Sequence, residues 1–379
     1  MVSKTKKTPK FSLKDQLFNP EKVQGLSKEI AAVYPDFSST NFEKDVTAKF
    51  PDLELKERVY WMTECLTVHL PDDYIESLDI IRKALPEPCD PSLSDDDFGD
   101  FIYLPYGYFI TKHGLTDLHL QRSLSAIEEL TTRFSCEDVI RPFMESYPNE
   151  TLAKLTEWSQ HPHYHVRRLV SEGTRPLLPW ASKIQYRPEY LKLLDALAGD
   201  STRYVTRSVA NHLNDVSKSD PDAVVGILKR WEASKIQPEK EWQFMRRHAL
   251  RTLIKKGHVP TLEYLGYPQD FNADIQLLLE KDTVKIGEAL KFKIKVEATA
   301  EENILLDYVM DFQGKGDRRG EKVFKLKTLA LKAGESVEIE KKYTFTKGMS
   351  TRSFYPGPHS ICLQVNGRRL AVHKFVLDE

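Results

Sequence analysis

Through roughly the first 265 positions, apolar residues recur at steps of three and four, the rhythm of amphipathic helices. Leu53, Leu55, Val59 and Met62 follow it, as do Leu124, Ile127 and Leu130. Between helical stretches lies a proline-rich and acidic segment, Pro86 to Asp97, which predicts a loop. From about Phe271 the period shortens to two. Leu290, Phe292, Ile294 and Val296 alternate with lysines, Val323 to Lys327 alternates in the same way, and so does Val337 to Phe345. Asn366-Gly367, between Ile361–Val365 and Leu370–Val372, is the sequence of a two-residue hairpin turn, with the return strand opening near Arg368. About seven short strands in ~105 residues predict an immunoglobulin-like β-sandwich. The expected organisation is therefore α then β, with a helical domain over 1–268 and a sandwich over 269–379.

The helical part carries a weak internal repeat. His165–Val170, Tyr204–Val209 and Phe244–Ala249 align at offsets of 39 and 40 residues. Each follows an apolar helix and a polar link, with the helices expected at Ala153–Trp158, Tyr190–Leu197 and Ala223–Trp231. Two helices every ~40 residues is the HEAT-type period, in which a helix pair buries its apolar face by stacking on its neighbours. The first domain is thus predicted to be a HEAT-like α-solenoid. The repeat places Arg168, Arg207 and Arg247 in one register. That column suits a stripe of guanidinium groups for phosphate oxygens, or equally an arginine–aspartate ladder between repeats.

Charge tips the balance between those two. The 379-residue chain has a net charge of −1, 40% hydrophobic residues and 29% charged residues, the composition of a soluble two-domain protein. Residues 1–149 carry 17 Lys+Arg against 26 Asp+Glu, residues 150–258 carry 19 against 12, and residues 259–379 carry 19 against 18. A basic middle segment in a neutral chain favours an anionic polymer, because neutralised phosphates release counterions.

No apolar run approaches the ~20 residues of a membrane span. The basic, polar start from Met1 to Lys10 has no apolar core behind it, so it reads as an arm able to touch phosphates and not as a signal peptide. Cys65, Cys89, Cys136 and Cys362 are far apart and form no CxxC, which suits a reducing cytoplasm. His161, His163 and His165 hint at metal, but without a neighbouring cysteine or a spaced acidic partner no metal site is expected.

No phosphate loop, nucleophile elbow, HExxH or kinase set is present. What stands out is the segment HVRRLVSEGTRPLLPWA, His165 to Ala181. With SVANHLNDVSK, Ser208 to Lys218, and RFSCEDVIRPF, Arg133 to Phe143, it resembles the signature stretches of the AlkC family of DNA alkylation repair glycosylases. The resemblance runs from about residue 120 to 258, and a trailing immunoglobulin-like domain fits the same family. Cys136 and Asp138 depart from the pattern, which has small or apolar residues there.

The resemblance implies a monofunctional glycosylase for 3-methyladenine and similar cationic lesions in duplex DNA, attacked from the backbone side without base flipping. Such a base is already a good leaving group. The enzyme then needs negative charge beside an oxocarbenium-like sugar and a carboxylate to orient water. The motif match makes Glu172 the expected carboxylate at the nascent cation, with Glu137 as the second carboxylate or water positioner. Glu172 is also placed just before Gly173, an expected helix stop, and so at the rim of the groove. Without the resemblance, Glu172 equally reads as an ion pair with Arg168 or Arg175. Ser135, Glu137 and Asp138 likewise read as an ordinary helix start.

Asp215 is an expected supporting carboxylate and Trp180 an expected stacking aromatic, whereas Trp158 is expected in the core. Arg167, Arg168, Arg175, Arg207, Arg246 and Arg247 are phosphate candidates. In the sandwich, Lys315, Arg318, Arg319, Arg368 and Arg369 lie on basic, glycine-rich tips suited to a minor groove or phosphates, or simply to solubility. No metal or cofactor is expected, the partner is alkylated double-stranded DNA with no membrane, and the protein is expected as a monomer in the bacterial cytoplasm, on the nucleoid when bound. On this reading Glu172→Gln abolishes base release and spares binding. The competing readings are a non-catalytic HEAT-type scaffold on nucleic acid and a solenoid adaptor for acidic protein partners.

Overall fold

The computed structural model describes residues 12–93, 98–316, 318–348 and 353–379. The amino-terminal arm expected over Met1 to Lys10 lies outside the described residues, as do Asp95, Asp96 and Asp97 of the acidic loop. Among the described residues, the helices are α1 (Leu13–Leu17), α2 (Pro20–Val33), α3 (Ser39–Lys49), α4 (Leu55–His69), α5 (Tyr74–Ala84), α6 (Leu104–Gly114), α7 (Leu120–Thr131) and α8 (Ile140–Ser146). They continue with α9 (Pro148–Trp158), α10 (Tyr164–Gly173), α11 (Pro188–Leu197), α12 (Arg203–Val216), α13 (Pro221–Ala233), α14 (Glu239–Lys256) and α15 (Val259–Tyr264). No described helix is long and apolar enough to cross a membrane.

Cα packing divides the chain into two compact units. One comprises Met1–Val216 with Arg230–Ala249, and the other Ser217–Lys229 with Leu250–Glu379. The change from helix to strand falls between Tyr264 and Ala273, so the second unit takes in helical residues as well as the sheets.

In the first unit, α10 and α12 pack against each other, and α10 also meets α7, α9 and α11. Both helices owe this to sequence: Val166, Leu169 and Val170 on α10, and Val205, Val209 and Leu213 on α12, are all buried. Each such side chain withdrawn from water contributes about 1.5–3 kcal/mol. α10 includes Gly173 and is followed by Thr174 at its C-cap. The glycine is there for contact, since a Cβ on Gly173 would lie 2.7 Å from the Ile140 side chain on α8. That close approach ties the end of α10 to the start of α8.

Among the described residues, the second unit holds two sheets, with strand orders β1-β3-β6 and β2-β8-β7-β4-β5. The strands are β1 (Ala273–Leu279), β2 (Thr283–Lys285), β3 (Ala289–Ala298), β4 (Glu302–Gln313), β5 (Arg319–Leu331), β6 (Ser336–Thr344), β7 (Gly357–Val365) and β8 (Arg368–Asp378). Leu290, Phe292, Ile294 and Val296, the apolar half of the alternation on β3, enter the core with Leu306, Met310, Ile361 and Leu363. Asn366 and Gly367 both have positive φ, 46° and 80°, and the hairpin pairs Val365 with Arg368 as the turn chemistry demands. Gly367 also meets the backbone of Gly257, where an added Cβ would sit 2.9 Å from the Gly257 Cα.

Candidate active site

Three elements of the first unit converge on one group of charges. The turn before α8 supplies Ser135, Glu137 and Asp138, α10 supplies Arg168 and Glu172, and α12 supplies Ser208 and Asp215. Arg175 follows α10. Glu172 is 4% exposed and does not reach a groove rim. One of its oxygens accepts a hydrogen bond from the Arg175 guanidinium at 2.5 Å, and the other accepts one from the Ser208 hydroxyl at 2.6 Å. The Arg168 guanidinium is 3.7 Å away. Burial works against a charge here, but Arg168, Arg175 and Ser208 outweigh it and hold the Glu172 carboxyl below the usual range. Asp215 is buried too, accepting from Arg175 Nε at 2.9 Å.

Arg168 links this buried group to Glu137. Its guanidinium donates to the Ser135 hydroxyl at 2.6 Å and lies 3.7 Å from the Glu137 carboxylate, which in turn accepts a hydrogen bond from Ser135. The Arg168 group also stacks over Tyr204, 4.5 Å from the ring centroid. Although burial opposes its charge, Glu172 and Glu137 raise the affinity of this guanidinium for its proton. The result is a line of alternating charges, Asp215–Arg175–Glu172–Arg168–Glu137, whose outer end is the glutamate with 26% side-chain exposure.

Glu137 and Asp138 face a cavity of about 300 Å³ walled by Phe98, Tyr60, Tyr108 and Trp180. Trp180 is 76% exposed and adopts φ 75°, a left-handed backbone conformation rare for an aromatic residue. The loop that carries it is pinned on either side of Trp180 by the fully buried Arg141, which donates to the carbonyls of Arg175 (2.6 Å) and Ser182. Trp158, by contrast, is fully buried, with its indole N–H donating to Glu128 at 2.8 Å, as its place on an apolar face predicts.

The structure corrects the expected guanidinium stripe. Arg168 is buried and engaged with Glu137 and Glu172, Arg207 is half-buried, and Arg247 is exposed. Three more phosphate candidates meet carboxylates within the helical array: Arg167 binds Asp200 (2.5 Å), Arg175 binds Glu172 and Asp215, and Arg246 binds Glu232 (2.8 Å). Asp200 lies in the loop after α11 and Asp215 on α12, which makes Arg167 and Arg175 rungs of an arginine–carboxylate ladder. In the second unit Lys315 and Arg318 are exposed, Arg319 pairs with Asp311, Arg369 pairs with Glu321, and Arg368 lies over the Phe271 ring at 4.4 Å.

Among the described residues no group of three His, Cys, Asp or Glu is arranged to hold a metal ion. His163 caps α10, with its ring accepting from the His165 backbone N–H, and its Nε2 meets the Cys89 carbonyl at 3.0 Å. His165 packs on the rings of Tyr164 and Tyr204. The periodicity of the sequence did not single out Lys56, Tyr60, Phe98, Tyr108 or Arg141. Of these only Arg141 sits inside a motif segment, while the others lie in the first hundred or so residues, where helical rhythm alone was legible.

Known proteins place the chain further. Residues 122–253 match the family model described as DNA alkylation repair enzyme, and residues 274–379 match the one described as the C-terminal Ig-like domain of the uncharacterised protein YhaZ. The chain is 32% identical over 361 residues to YhaZ of Bacillus subtilis strain 168, covering 93% of this chain and 96% of that protein. Its structure is similar to that of the Pseudomonas fluorescens alkylpurine DNA glycosylase AlkC bound to DNA containing an abasic site analog. There the identity is 33% and the TM-score 0.85, over 97% of this chain and 100% of the other.

Proposed function

This chain belongs to the AlkC family of DNA alkylation repair enzymes, and on that footing we propose that it is a monofunctional glycosylase releasing cationic alkylated bases such as 3-methyladenine from duplex DNA. The observation that carries this reading is the pairing of a solvent-reaching carboxylate, Glu137, with an aromatic cavity wall that includes Trp180. A cationic base or an electron-poor sugar gains from both, by charge and by contact with an aromatic face.

In this mechanism the bond between C1′ and the base nitrogen breaks with its electron pair going to the base, which leaves neutral. The positive charge moves to the sugar as an oxocarbenium-like species. Glu137 stands beside it, stabilises it electrostatically and orients the water whose oxygen bonds to C1′, while the water's proton passes to Glu137 and then to solvent. Glu172 acts one step back. Together with Asp215 and Arg175 it fixes Arg168, and Arg168 with Ser135 fixes the Glu137 carboxylate. Buried ion pairs add little net stability but impose a defined geometry, the use proposed for them here. The product is an abasic site. No Schiff-base lysine, metal or organic cofactor enters the reaction, and the lesion is reached from the backbone side without extrusion of the base.

The test is direct: incubate the purified protein with methylated duplex DNA and measure free 3-methyladenine. A nucleic-acid scaffold binds DNA with steep salt dependence and releases nothing. An adaptor for acidic proteins does neither.

A further inference from the structure

Asp138 is central to a contact chain that the reaction above does not use. Its carboxylate accepts a hydrogen bond from the Tyr108 hydroxyl at 2.5 Å and lies 3.8 Å from the Lys56 ammonium group. Lys56 in turn donates to the main-chain carbonyl of Trp180. Lys56 and Tyr60 stand one turn apart on α4, and the Tyr60 ring meets the Tyr108 ring edge-on, with centroids 5.1 Å apart. The supports are therefore two packed helices, α4 and α6. All four side chains line the same cavity as Trp180 and Glu137.

Burial and the adjacent Asp138 charge push the Tyr108 phenol well above its ordinary range, so it stays protonated and donates. Asp138 is thus fixed on one side by a neutral donor and left to attract Lys56 on the other. What Lys56 holds is the carbonyl of a residue whose φ of 75° is unfavourable for any side chain larger than hydrogen. A non-glycine residue in that region persists only where its surroundings over-determine it, and such residues gather at functional sites.

We propose that Tyr108, Asp138 and Lys56 form a relay that holds Trp180 in its left-handed conformation at the cavity wall, as positioning residues for the aromatic that faces the lesion. The lesion in this statement rests on the glycosylase reading above, whereas the ordering of Trp180 does not.

The experiment reads the two parts separately. Time-resolved fluorescence anisotropy is recorded for the full chain and for Trp180→Phe, and the difference isolates Trp180 from the other four tryptophans. The same difference is then taken in Asp138→Asn and Lys56→Met backgrounds, with Lys56→Arg as the conservative variant and thermal melts as the check on folding. The relay predicts loss of Trp180 order in the first two variants and retention in Lys56→Arg. With methylated duplex DNA it predicts base release at saturating DNA slowed roughly 10- to 100-fold in Asp138→Asn, the scale expected of a misplaced group, with little change in KM and no further loss when Lys56→Met is added to Asp138→Asn. Unchanged anisotropy in both variants overturns the relay, whatever the activity. Lost order with undiminished base release overturns its positioning role. If the unmodified protein releases no base while Trp180 still loses order in the variants, the relay stands and the glycosylase reading falls.

Discussion

Glu172 and Arg175 form a 2.5 Å hydrogen-bonded ion pair inside the helical array, with side chains only 6% and 8% exposed. The carboxylate that the sequence motif places first is therefore closed to a sugar or a water from outside. Its neighbour in the same line of charges, Glu137, is the one that opens on the cavity. This division of labour separates two substitutions that the sequence alone treats as alike.

Glu172→Gln is expected to act on stability. It leaves the buried guanidinium groups of Arg168 and Arg175 with one carboxylate fewer, and breaking a buried pair in this way costs about 3–5 kcal/mol. The pH dependence has a definite sign. The Glu172 carboxyl is held below its ordinary value of 4.5, so its contribution is fully present above that pH and is lost as acid titrates the folded protein. Thermal melts should show a large gap between the variant and the unmodified protein at pH 7 that narrows as the pH falls below 4.5. An unchanged melting temperature at pH 7 would remove Glu172 from the structural role.

His212 supplies a second acid-sensitive element. Burial pushes its imidazole down to about 4 from 6.5, against the pull of the Ser171 carbonyl hydrogen bond. The unfolded chain thus takes up a proton before the folded one does, and stability falls as pH drops from 6.5 toward 4. Between pH 7.5 and 5 this amounts to about 2 kcal/mol. The variant His212→Asn should lose less stability over the same interval, read by urea unfolding at the two pH values.

In the sandwich the sign reverses. Asp307 on β4 is buried with one oxygen lacking a hydrogen-bond partner, and burial pushes its carboxyl up to about 6 despite a hydrogen bond from the Leu326 backbone. Above that pH the folded protein carries an unfavourable charge. Asp307→Asn keeps an oxygen for Leu326 and is expected to raise stability by roughly 2–3 kcal/mol at pH 7.5. The gain should vanish at pH 4, where the native carboxyl is protonated in the fold. A variant less stable than the parent at pH 7.5 contradicts this account.

Much of the fold was legible because it rests on local chemistry. The three-and-four rhythm of Leu124, Ile127 and Leu130 becomes α7, the alternation around Phe292 becomes β3, and Asn366-Gly367 takes the positive φ angles its residue types favour. Site chemistry was legible only as far as motif identity and register reached. Arg168, Arg207 and Arg247 do share a register, yet their exposure differs because it depends on what packs against each helix. Asp215, 40 residues from Arg175, and Lys56, 82 residues from Asp138, meet their partners through tertiary packing that no local pattern announces.

The central claim is that Glu137 carries the chemistry from the cavity side, and the base-release assay on methylated duplex DNA tests it with Glu137→Gln beside the unmodified protein. The account predicts release of free 3-methyladenine by the unmodified protein. In the variant it predicts a loss of roughly 10²–10³-fold, the scale of removing a preorganised electrostatic partner, with DNA binding retained. Equal release by the two proteins, or none by the unmodified protein, contradicts it.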